Sequence, residues 1–537
     1  MLRPVSAAIS SLFLLVLLFS SLLTPLLSAQ GPVDGDSLVG ASIGDASNLI
    51  PALASDSSSN EVIGQAYSGL VKYDKNLQVV ADLAEKWEVS EDQKTIIFRL
   101  RPGLVWADGS PFTAEDCVFT WKLMSDPNTP TAYGESFQQI ETAEAVDDLT
   151  FKVVYKRVLA KALITWAFGI MPKRLMEGVN LDDCPLARTT MGTGPFQLES
   201  WEVAQKIVMN ANPKYYLGRP HLDRLITRII PDMATQMMEL STLALDTMSL
   251  EPEQWLEATE KPALKEAFNF FRFPASSYTY LGFNLKDPRL SDVRVRRAIA
   301  LAIDKDEVVE GALMGFGRPA NGPFKPDMWA NNVKVKPYPF NQEEAKKLLS
   351  QAGWTDSDND GVIDKEGRPF VLTIMTNQGN RVREQSALII QSRLKEVGIK
   401  VEIRIVEWAA FLKEYIDKKN FEALVMGWTI PLDPDLFDVW NSKKINPGEL
   451  NFVGYSNPEV DELIDKARFT LNQQERKQAY DRIQEIFFED VPYVFLFVPE
   501  SLVAVSKRFV GPEVAPVGLG YNIEQWYVPK DRQVHKK

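Results

Sequence analysis

The stretch LAEKWEVSEDQKTIIFRLRPGLVWADGSPFTAEDCVFTWKLM, residues 83–124, has the clearest local pattern in the chain. Within it, apolar and polar side chains alternate over residues 95–100, which predicts a strand with one buried face. A turn, ADGS at 107–110, follows, and Thr113 with Asp116 three residues later predicts a capped helix. The pattern indicates a strand-turn-helix unit, which many folds contain.

Three later segments are more specific than any pattern of polarity. They are MGTGPFQLESW (191–201), DVRVRRAIALAIDKDEVVEGALMGFGRPANGP (292–323) and NFVGYSNPEVDELIDKAR (451–468). Together with residues 83–124 they resemble the family 5 extracytoplasmic solute-binding proteins, and they occur in that family's order. These proteins are the dipeptide, oligopeptide, nickel and oligosaccharide receptors of ABC importers. The resemblance covers nearly the whole chain after its leader.

The resemblance implies an α/β fold of two lobes, a type II-like periplasmic-binding-protein fold that closes over a central cleft. After about residue 280 the sequence itself alternates predicted strands and helices, which indicates α/β layers. The chain is expected to cross between the lobes twice, and such a two-strand hinge suits closure around a ligand. The expected parts are a signal peptide (1–29), lobe I (31–78, 192–275 and 505–537), a subdomain inserted in lobe I (79–191) and lobe II (276–504).

The residue inventory argues against most enzymes. The 537 residues include only two histidines, His221 and His535, which nearly excludes a Ser-His-Asp, Cys-His or multi-histidine metal site. A formal charge of −13 argues against a partner that is nucleic acid or an anionic membrane. We therefore expect a binding protein with no enzymatic activity and no cofactor. An exported hydrolase that uses carboxylates stays open, because 72 acidic residues allow some pair in a cleft.

The first residues predict export. Arg3 precedes an apolar stretch at 9–23, and Leu27-Ser28-Ala29 supplies small residues for cleavage before Gln30. An uncleaved membrane anchor is the alternative, since the apolar stretch is rather long for a signal. No cysteine lies near the cleavage point, so a lipoprotein is not expected. We expect an exported protein that is free in the periplasm.

Cys117 and Cys184 are the two cysteines of the chain. An oxidising compartment permits a disulfide between them. Two separate buried thiols fit the sequence equally well, because Cys117 lies on the apolar face of its predicted helix.

The resemblance implies several ligand contacts. Trp408 and Trp428-Thr429 match family positions that line the pocket, where an indole buries apolar ligand surface. Asn48, in the loop before the first helix, and Asn284, at the end of the strand that enters lobe II, are further implied contacts. Arg383, at the start of a helix, offers donors for a ligand carboxylate. The alternatives are core packing for each tryptophan and a solvent-exposed helix position for Arg383.

The sequence departs from the peptide-binding members at GWTIPLDPD, residues 427–435. In those members an Asp three residues after the tryptophan pairs with the α-ammonium of the peptide, and here that place is Pro431. A buried ammonium needs a counter-charge. Either Asp433 or Asp435 substitutes, or the ligand has no free amine there. The second case favours an oligosaccharide, for which stacking on tryptophan suffices.

A short acidic segment, DSDNDGVID at 356–364, resembles a calcium loop. Asp356, Asp358, Asp360 and Asp364 take positions 1, 3, 5 and 9, with a glycine at position 6. Position 12, which should hold a bidentate Glu, is Gly367. A solvated turn is the alternative to a structural calcium site, and a bound ion would make the loop rigid without taking part in catalysis.

These features together predict the periplasmic receptor of an ABC importer. The expected ligand is a peptide, and an oligosaccharide is the alternative. The expected partners are a membrane permease and its ATPase. The chain is expected to act as a monomer.

Overall fold

The computed structural model describes residues 31–535, and the expected signal peptide, residues 1–29, lies outside them. The strands in this range are β1 (Ser37–Ser42), β2 (Val71–Tyr73), β3 (Val79–Ala81), β4 (Ala84–Val89), β5 (Thr95–Leu100), β6 (Ile140–Asp147), β7 (Thr150–Tyr155), β8 (Phe196–Glu202), β9 (Lys206–Ala211), β10 (Arg224–Ile229), β11 (Thr247–Ser249), β12 (Phe268–Pro274), β13 (Ser277–Phe283), β14 (Gly317–Pro319), β15 (Asp364–Lys365), β16 (Arg368–Pro369), β17 (Val371–Asn377), β18 (Lys400–Val406), β19 (Ala423–Thr429) and β20 (Tyr493–Ser506).

The longer helices are Ser57–Ala66, Ala114–Ser125, Met233–Ser241, Pro252–Glu260, Pro262–Ala267, Val293–Ala302, Lys305–Leu313, Gln342–Gln351, Arg381–Lys395, Pro458–Arg468 and Gln473–Asp490. A π-helical turn covers Phe411–Ile416. Within residues 31–535, none of the helices combines the length and the apolar character needed to cross a bilayer.

The stretch at 83–124 folds as its pattern predicts. β5 buries Ile96, Phe98 and Leu100. The helix Ala114–Ser125 begins after Thr113, whose backbone N–H donates to Asp116 Oδ2 at 3.0 Å in a capping box. The sheet order is β4-β5-β7-β6, and this sheet packs with the helix around a core of its own. We call this body the subdomain.

A second body, lobe I, is built on the sheet β1-β10-β9-β8. β1 and β10 run parallel, whereas β9 is antiparallel to both of its neighbours. Residues from both ends of the chain complete its core, with Leu38 from β1 and Trp526 and Val528 from the last segment. The first and the last segments that the structure describes therefore lie in the same body.

Lobe II is built on a larger sheet whose strand order includes β20-β13-β19-β17-β18. β17, β18 and β19 run parallel, and β13 is antiparallel to β19 and β20. Helices including Val293–Ala302 and Arg381–Lys395 bury their apolar residues against this sheet. Parallel strands covered by helices are the α/β arrangement that the sequence predicts.

Two neighbouring strand segments connect lobe I with lobe II. β20 pairs with β13 of lobe II through residues 493–497 and with β12 of lobe I through residues 500–506. β12 and β13 are joined by Ala275-Ser276, and the backbone N–H of Ala275 donates to the carbonyl oxygen of Pro499 at 3.0 Å. The two crossings therefore lie side by side. The second crossing, between residues 497 and 500 of β20, comes before residue 504, where the sequence analysis expects lobe II to end.

Cys117 and Cys184 are both buried, and both are free thiols. They belong to the same subdomain core. The structure therefore contains the two separate thiols and not the disulfide between them.

Two glycines fix how closely the turn before β8 packs on the first helix. A Cβ built at Gly192 would lie 1.8 Å from the carbonyl oxygen of Ala66, and one at Gly194 would lie 2.4 Å from that of Gln65. Both carbonyls belong to the last turn of the helix Ser57–Ala66. The GTG motif thus allows a backbone approach that no other residue type permits.

We expect Gly192→Ala to lower the free energy of unfolding by about 2 kcal/mol, because the added methyl group pushes the turn off the helix. Gly64→Ala is the matched control, since a Cβ there meets no atom within 4 Å. Alanine favours the helix, so this control should gain up to about 1 kcal/mol. Chemical denaturation followed by circular dichroism measures both. Equal stability of Gly192→Ala and the native protein would show that the contact is not tight.

Candidate functional site

Parallel strands end at corresponding edges of the two lobes. β17, β18 and β19 of lobe II end at Asn377, Val406 and Thr429, and β1 and β10 of lobe I end at Ser42 and Ile229. In α/β sheets, ligands bind beyond the carboxyl ends of the strands. The loops that follow these five strands are therefore the first place to look for a ligand site.

Two contacts bring these loops together. A Cβ at Gly379, two residues after β17, would lie 2.6 Å from the carbonyl oxygen of Pro231, two residues after β10. A Cβ at Gly44, two residues after β1, would lie 3.1 Å from Cδ1 of Trp408, two residues after β18. The lobes are therefore closed on each other, and the region between the two edges is the candidate site.

Trp408 stands at the contact between the lobes. The side chain of Glu407 caps the turn that follows, accepting from the backbone N–H groups of Ala409 and Ala410 at 2.9 Å each. The chain then continues as a π-helical turn, a conformation that is frequent at functional sites. The indole Nε1 of Trp408 is buried and has no acceptor among residues 31–535. A buried donor without a partner is costly, so a ligand acceptor here would be stabilising.

Trp428 is held rigidly at the end of β19. Its ring stacks on Phe452 with 5.6 Å between centroids, and its Nε1 donates to the hydroxyl of Tyr493 at 3.3 Å. Tyr493 in turn stacks on Tyr280 with 3.9 Å between centroids. Trp428 is half-buried and the adjacent Thr429 is exposed. The indole N–H is used inside the protein, so only the ring surface of Trp428 is available for a further contact.

Arg383 is half-buried and is not a solvent-exposed helix arginine. Its Nη1 donates to Asn377 Oδ1 at 2.7 Å, and its Nη2 would lie 2.9 Å from a Cβ at Gly427. Burial lowers the pKa of Arg383 to about 10, although nearby Tyr280 acts in the opposite direction, so the guanidinium is charged at neutral pH. Its side chain keeps partial access to solvent. No ion pair joins it to a carboxylate in the part of the chain that the structure describes.

The two aspartates considered as replacements at Pro431 are both paired with cations. Arg476 donates to the two carboxylate oxygens of Asp433 at 2.6 and 3.0 Å. Asp435 contacts Lys161 at 2.5 Å and Arg468 Nε at 3.2 Å. Neither carboxylate is left over for a ligand ammonium. Asp433 and Asp435 therefore do not replace the missing aspartate, and their part is to hold the loop after β19.

Asn48 lies on the lobe I side of the candidate site. It belongs to the loop between β1 and the helix Ser57–Ala66, the loop that also contains Gly44. Its Oδ1 accepts from the backbone N–H of Ile50 at 2.8 Å. The side-chain oxygen thus stabilises the loop, and a ligand contact by Asn48 stays a prediction.

Asn284 lies at the wrong end of its strand for a ligand contact. It follows β13, in which Phe283 pairs with Ala423 and Ser277 pairs with Thr429. Its Nδ2 donates to the carbonyl oxygen of Phe421 at 2.9 Å. At about 3.3 Å per residue, the length of β13 separates Asn284 from the edge with Thr429 by roughly 20 Å. The placement of Asn284 in the cleft is therefore wrong.

Glu61 is a candidate that sequence reasoning missed. It lies on the helix Ser57–Ala66, one turn after Ser58, whose Oγ donates to the carbonyl oxygen of Gly44 at 3.2 Å beside Trp408. Its side chain is exposed, yet desolvation by the surrounding protein raises the pKa of Glu61 above its ordinary value. Its position beside the Gly44–Trp408 contact, on the same face of the helix as Ser58, makes it a candidate for the cleft. The sequence signal that could have identified Glu61 is its position on the polar face of the helix that follows the Asn48 loop.

The acidic loop brings together three of its four aspartates. Carboxylate oxygens of Asp356, Asp358 and Asp360 lie within 4.8 Å of one another, and all three residues are exposed. Asp364 instead accepts from the backbone N–H and the hydroxyl of Ser357, at 2.9 and 2.6 Å. Calcium binding at this loop stays a prediction, now with three converging carboxylates instead of four.

Comparison with known proteins identifies the family to which this architecture belongs. The family described as bacterial extracellular solute-binding proteins, family 5 Middle, matches residues 78–447. The chain belongs to this family. Its members bind solutes and are not enzymes, in agreement with the small histidine inventory.

Individual relatives cover nearly the whole chain. Oligopeptide-binding protein AppA of Bacillus subtilis is 32% identical over 515 residues, covering 94% of this chain and 93% of AppA. The probable D,D-dipeptide-binding periplasmic protein DdpA of Escherichia coli is 30% identical over 497 residues, covering 90% and 92%. The structure of AppA in complex with a nonapeptide matches with a TM-score of 0.88 at 30% identity, over 93% of this chain and 100% of that one.

A second solved structure has a different kind of ligand. NikZ from Campylobacter jejuni in complex with Ni(L-His) matches with a TM-score of 0.84 at 27% identity, over 92% of this chain and 99% of that one. These likenesses confirm the two-lobed α/β fold that the sequence predicts.

Replacing Trp428 by Ala should weaken ligand binding at least about tenfold, or about 1.4 kcal/mol, because the ring supplies apolar contact surface. The affinity for a synthetic nonapeptide library, measured by calorimetry, tests this. Trp87→Ala, which removes a half-buried tryptophan from β4 in the subdomain, is the control and should bind normally. Unchanged affinity of a folded Trp428→Ala variant would remove Trp428 from the site.

Proposed function

We propose that this protein captures peptides outside the cytoplasm and delivers them to the permease and ATPase of an ABC importer. The observation that carries the ligand class is Arg383. The charged guanidinium of this half-buried side chain has no carboxylate partner within residues 31–535, and it lies next to Gly427, one residue before Trp428, near the cleft end of β19. A buried cation without a counter-ion is costly, and a ligand carboxylate would provide one.

Relatives support the peptide class. AppA is an oligopeptide-binding protein whose structure holds a nonapeptide, and the matches to AppA extend over more than nine tenths of both chains. DdpA is described as a probable D,D-dipeptide-binding protein. The aromatic surface of Trp408 and Trp428 suits peptide side chains as well as sugar rings, so aromatic residues alone do not decide between the two ligand classes.

The amino end of a peptide needs a carboxylate, and we assign Glu61 to this part. Asp433 and Asp435 are already neutralised by Arg476, Lys161 and Arg468. Glu61 has no cation partner among the described residues and lies one helical turn from the contact between Gly44 and Trp408. A peptide would then be held by charge at both ends, by Glu61 of lobe I and by Arg383 of lobe II. Such a ligand favours the closed form because it contacts both lobes.

An oligosaccharide is the second candidate, favoured by one observation. Pro431, which stands where peptide-binding relatives of this sequence type have Asp, is exposed and brings no charge. A neutral sugar would satisfy the indole donor of Trp408. It would leave the charges of Arg383 and Glu61 without partners, and for this reason we rank it below a peptide.

We further propose that the protein works as a monomer in the periplasm after removal of residues 1–29. The leader sequence and the absence of a cysteine near Ala29 support this placement. DdpA is described as a periplasmic protein.

Native mass spectrometry of the mature protein, purified from its own periplasm, tests the ligand class. A closed cleft retains solute through purification, so bound material adds to the protein mass. Masses that fragment into amino acids would support the proposal, and a ladder of hexose masses would replace it with the sugar alternative. If the protein arrives without ligand, calorimetry with a nonapeptide library and with an oligosaccharide panel decides between the same two outcomes.

The two end charges can be tested separately with blocked peptides. Arg383→Gln should weaken binding of a free-acid nonapeptide about tenfold or more, and should change little for the same peptide with an amidated carboxyl end. Glu61→Gln should weaken binding of the peptide with a free amine, and should change little for its acetylated form. Calorimetry on these four combinations of variant and peptide, compared with the native protein, gives the interaction of each residue with its end of the peptide.

Arg381→Gln is the matched control for Arg383, because Arg381 is exposed two residues earlier on the same helix. Equal losses for free and blocked peptides would mean that the residue does not contact that end of the ligand.

A further inference from the structure

Four charged residues meet where the subdomain touches lobe II, and we call them the closing cluster: Glu135, Lys161, Asp435 and Arg468. Lys161 Nζ lies 2.5 Å from Asp435 Oδ2, and Arg468 pairs with Glu135. Both of these pairs join the subdomain to lobe II. Within lobe II, Arg468 Nε also contacts Asp435 Oδ2 at 3.2 Å. Of these four residues, each body contributes one anion and one cation, and the Asp438 carboxyl of lobe II also interacts with Lys161 and Arg468.

The closing cluster is buried between the two bodies. The exposed fractions of the side chains are 2% for Arg468, 8% for Asp435, 13% for Glu135 and 19% for Lys161. Burial alone would raise the pKa of Asp435, but Lys161 and then Arg468 hold it below its ordinary value, so the carboxylate stays ionised. Charges removed from water are stable only with partners. Arg468 and Asp435 pair with each other within lobe II, whereas Lys161 and Glu135 of the subdomain form their ion pairs with lobe II.

Other contacts at the same place fix how the surfaces meet. The backbone N–H of Ala160 in the subdomain donates to the carbonyl oxygen of Arg468 at 2.7 Å. Phe469 of lobe II packs against the subdomain core, under the guanidinium of Arg157. The cluster is therefore part of a docked surface, with neutral contacts beside the charged ones.

The closing cluster is connected to the ligand site through one loop. Asp435 lies seven residues after Trp428, in the loop that leaves β19. In the same loop, Asp433 is held by two hydrogen bonds from Arg476. The start of this loop faces the candidate ligand site and its end is fixed to the subdomain. Docking of the subdomain and the position of Trp428 are thus mechanically linked.

We propose that the closing cluster is the contact that keeps the cleft shut, and that its four residues act as positioning residues for ligand capture. When the subdomain separates from lobe II, both pairs between the bodies break and water solvates the freed charges. The strength of these pairs therefore sets the fraction of closed protein and the rate at which a ligand leaves. The link to ligand affinity rests on the proposed function, whereas the effect on closure does not.

Lys161→Met is the variant that tests this, because it keeps the length of the side chain and removes the charge. The unliganded variant should show a larger radius of gyration in small-angle X-ray scattering than the unliganded native protein. With a nonapeptide bound, it should release the peptide about tenfold faster in stopped-flow fluorescence, with little change in the association rate. Lys161→Arg, which keeps the charge, should restore both values toward those of the native protein.

The control is Lys152→Met, which removes an exposed ion pair with Glu144 elsewhere in the subdomain, with the two groups 2.9 Å apart. It should leave both the scattering and the release rate unchanged. Glu135→Gln, on the other arm of the cluster, is a second variant in case Lys161→Met does not fold. Scattering curves identical to the native curve for a folded Lys161→Met or Glu135→Gln variant would overturn the proposal. The scattering experiment needs no ligand. If the protein binds no peptide, the proposed function is disproved, and the scattering still tests the closing cluster.

Discussion

The strand β20 constrains how the two lobes can move relative to each other, because it belongs to both lobes at once. Residues 493–497 are hydrogen-bonded to β13 in lobe II, and residues 500–506 are hydrogen-bonded to β12 in lobe I. β12 and β13 are consecutive, and Ala275 bonds to Pro499 between the two crossings. Backbone ladders do not stretch, so the lobes can rotate about this pair of crossings but cannot slide apart. The carboxyl edges of the two sheets are then brought together or separated by one hinge.

The cost of burying charge explains how the charged groups near those edges are paired. Asp435 and Arg383 both face the cost of desolvation, and the fold treats them in opposite ways. Asp435 forms ion pairs with Lys161 of the subdomain and with Arg468 of lobe II. Its carboxylate therefore helps to hold the two bodies together. Among residues 31–535, the guanidinium of Arg383 donates to the amide oxygen of Asn377 and forms no ion pair. The first group is paired within the protein, and we propose that the second pairs with a ligand.

Much of the architecture was predictable because it is local. The alternation in β5, the Thr113 capping box and the parallel strands of lobe II follow from side-chain periodicity and capping chemistry. The family resemblance supplied the two lobes, the crossings and the positions of Trp408 and Trp428. The partners of Asp433 and Asp435 were not predictable, because Arg476, Arg468 and Lys161 are far away in sequence. Asn284 was misplaced because the sequence does not say which end of β13 faces the cleft.

The amino-acid sequence, through the family resemblance of its segments, identified the class of the protein: a two-lobed solute-binding receptor with too few histidines and cysteines for most catalytic sites. Short segments in a fixed order carry that resemblance, and the small numbers of histidines and cysteines can be counted without knowing any contact between residues. Which charges are already paired within the protein became clear from the folded structure alone. That distinction depends on distances between residues such as Lys161 and Asp435, which are 274 positions apart and meet at 2.5 Å. The free charge of Arg383 and the open position of Glu61 became visible only after every other partner had been placed.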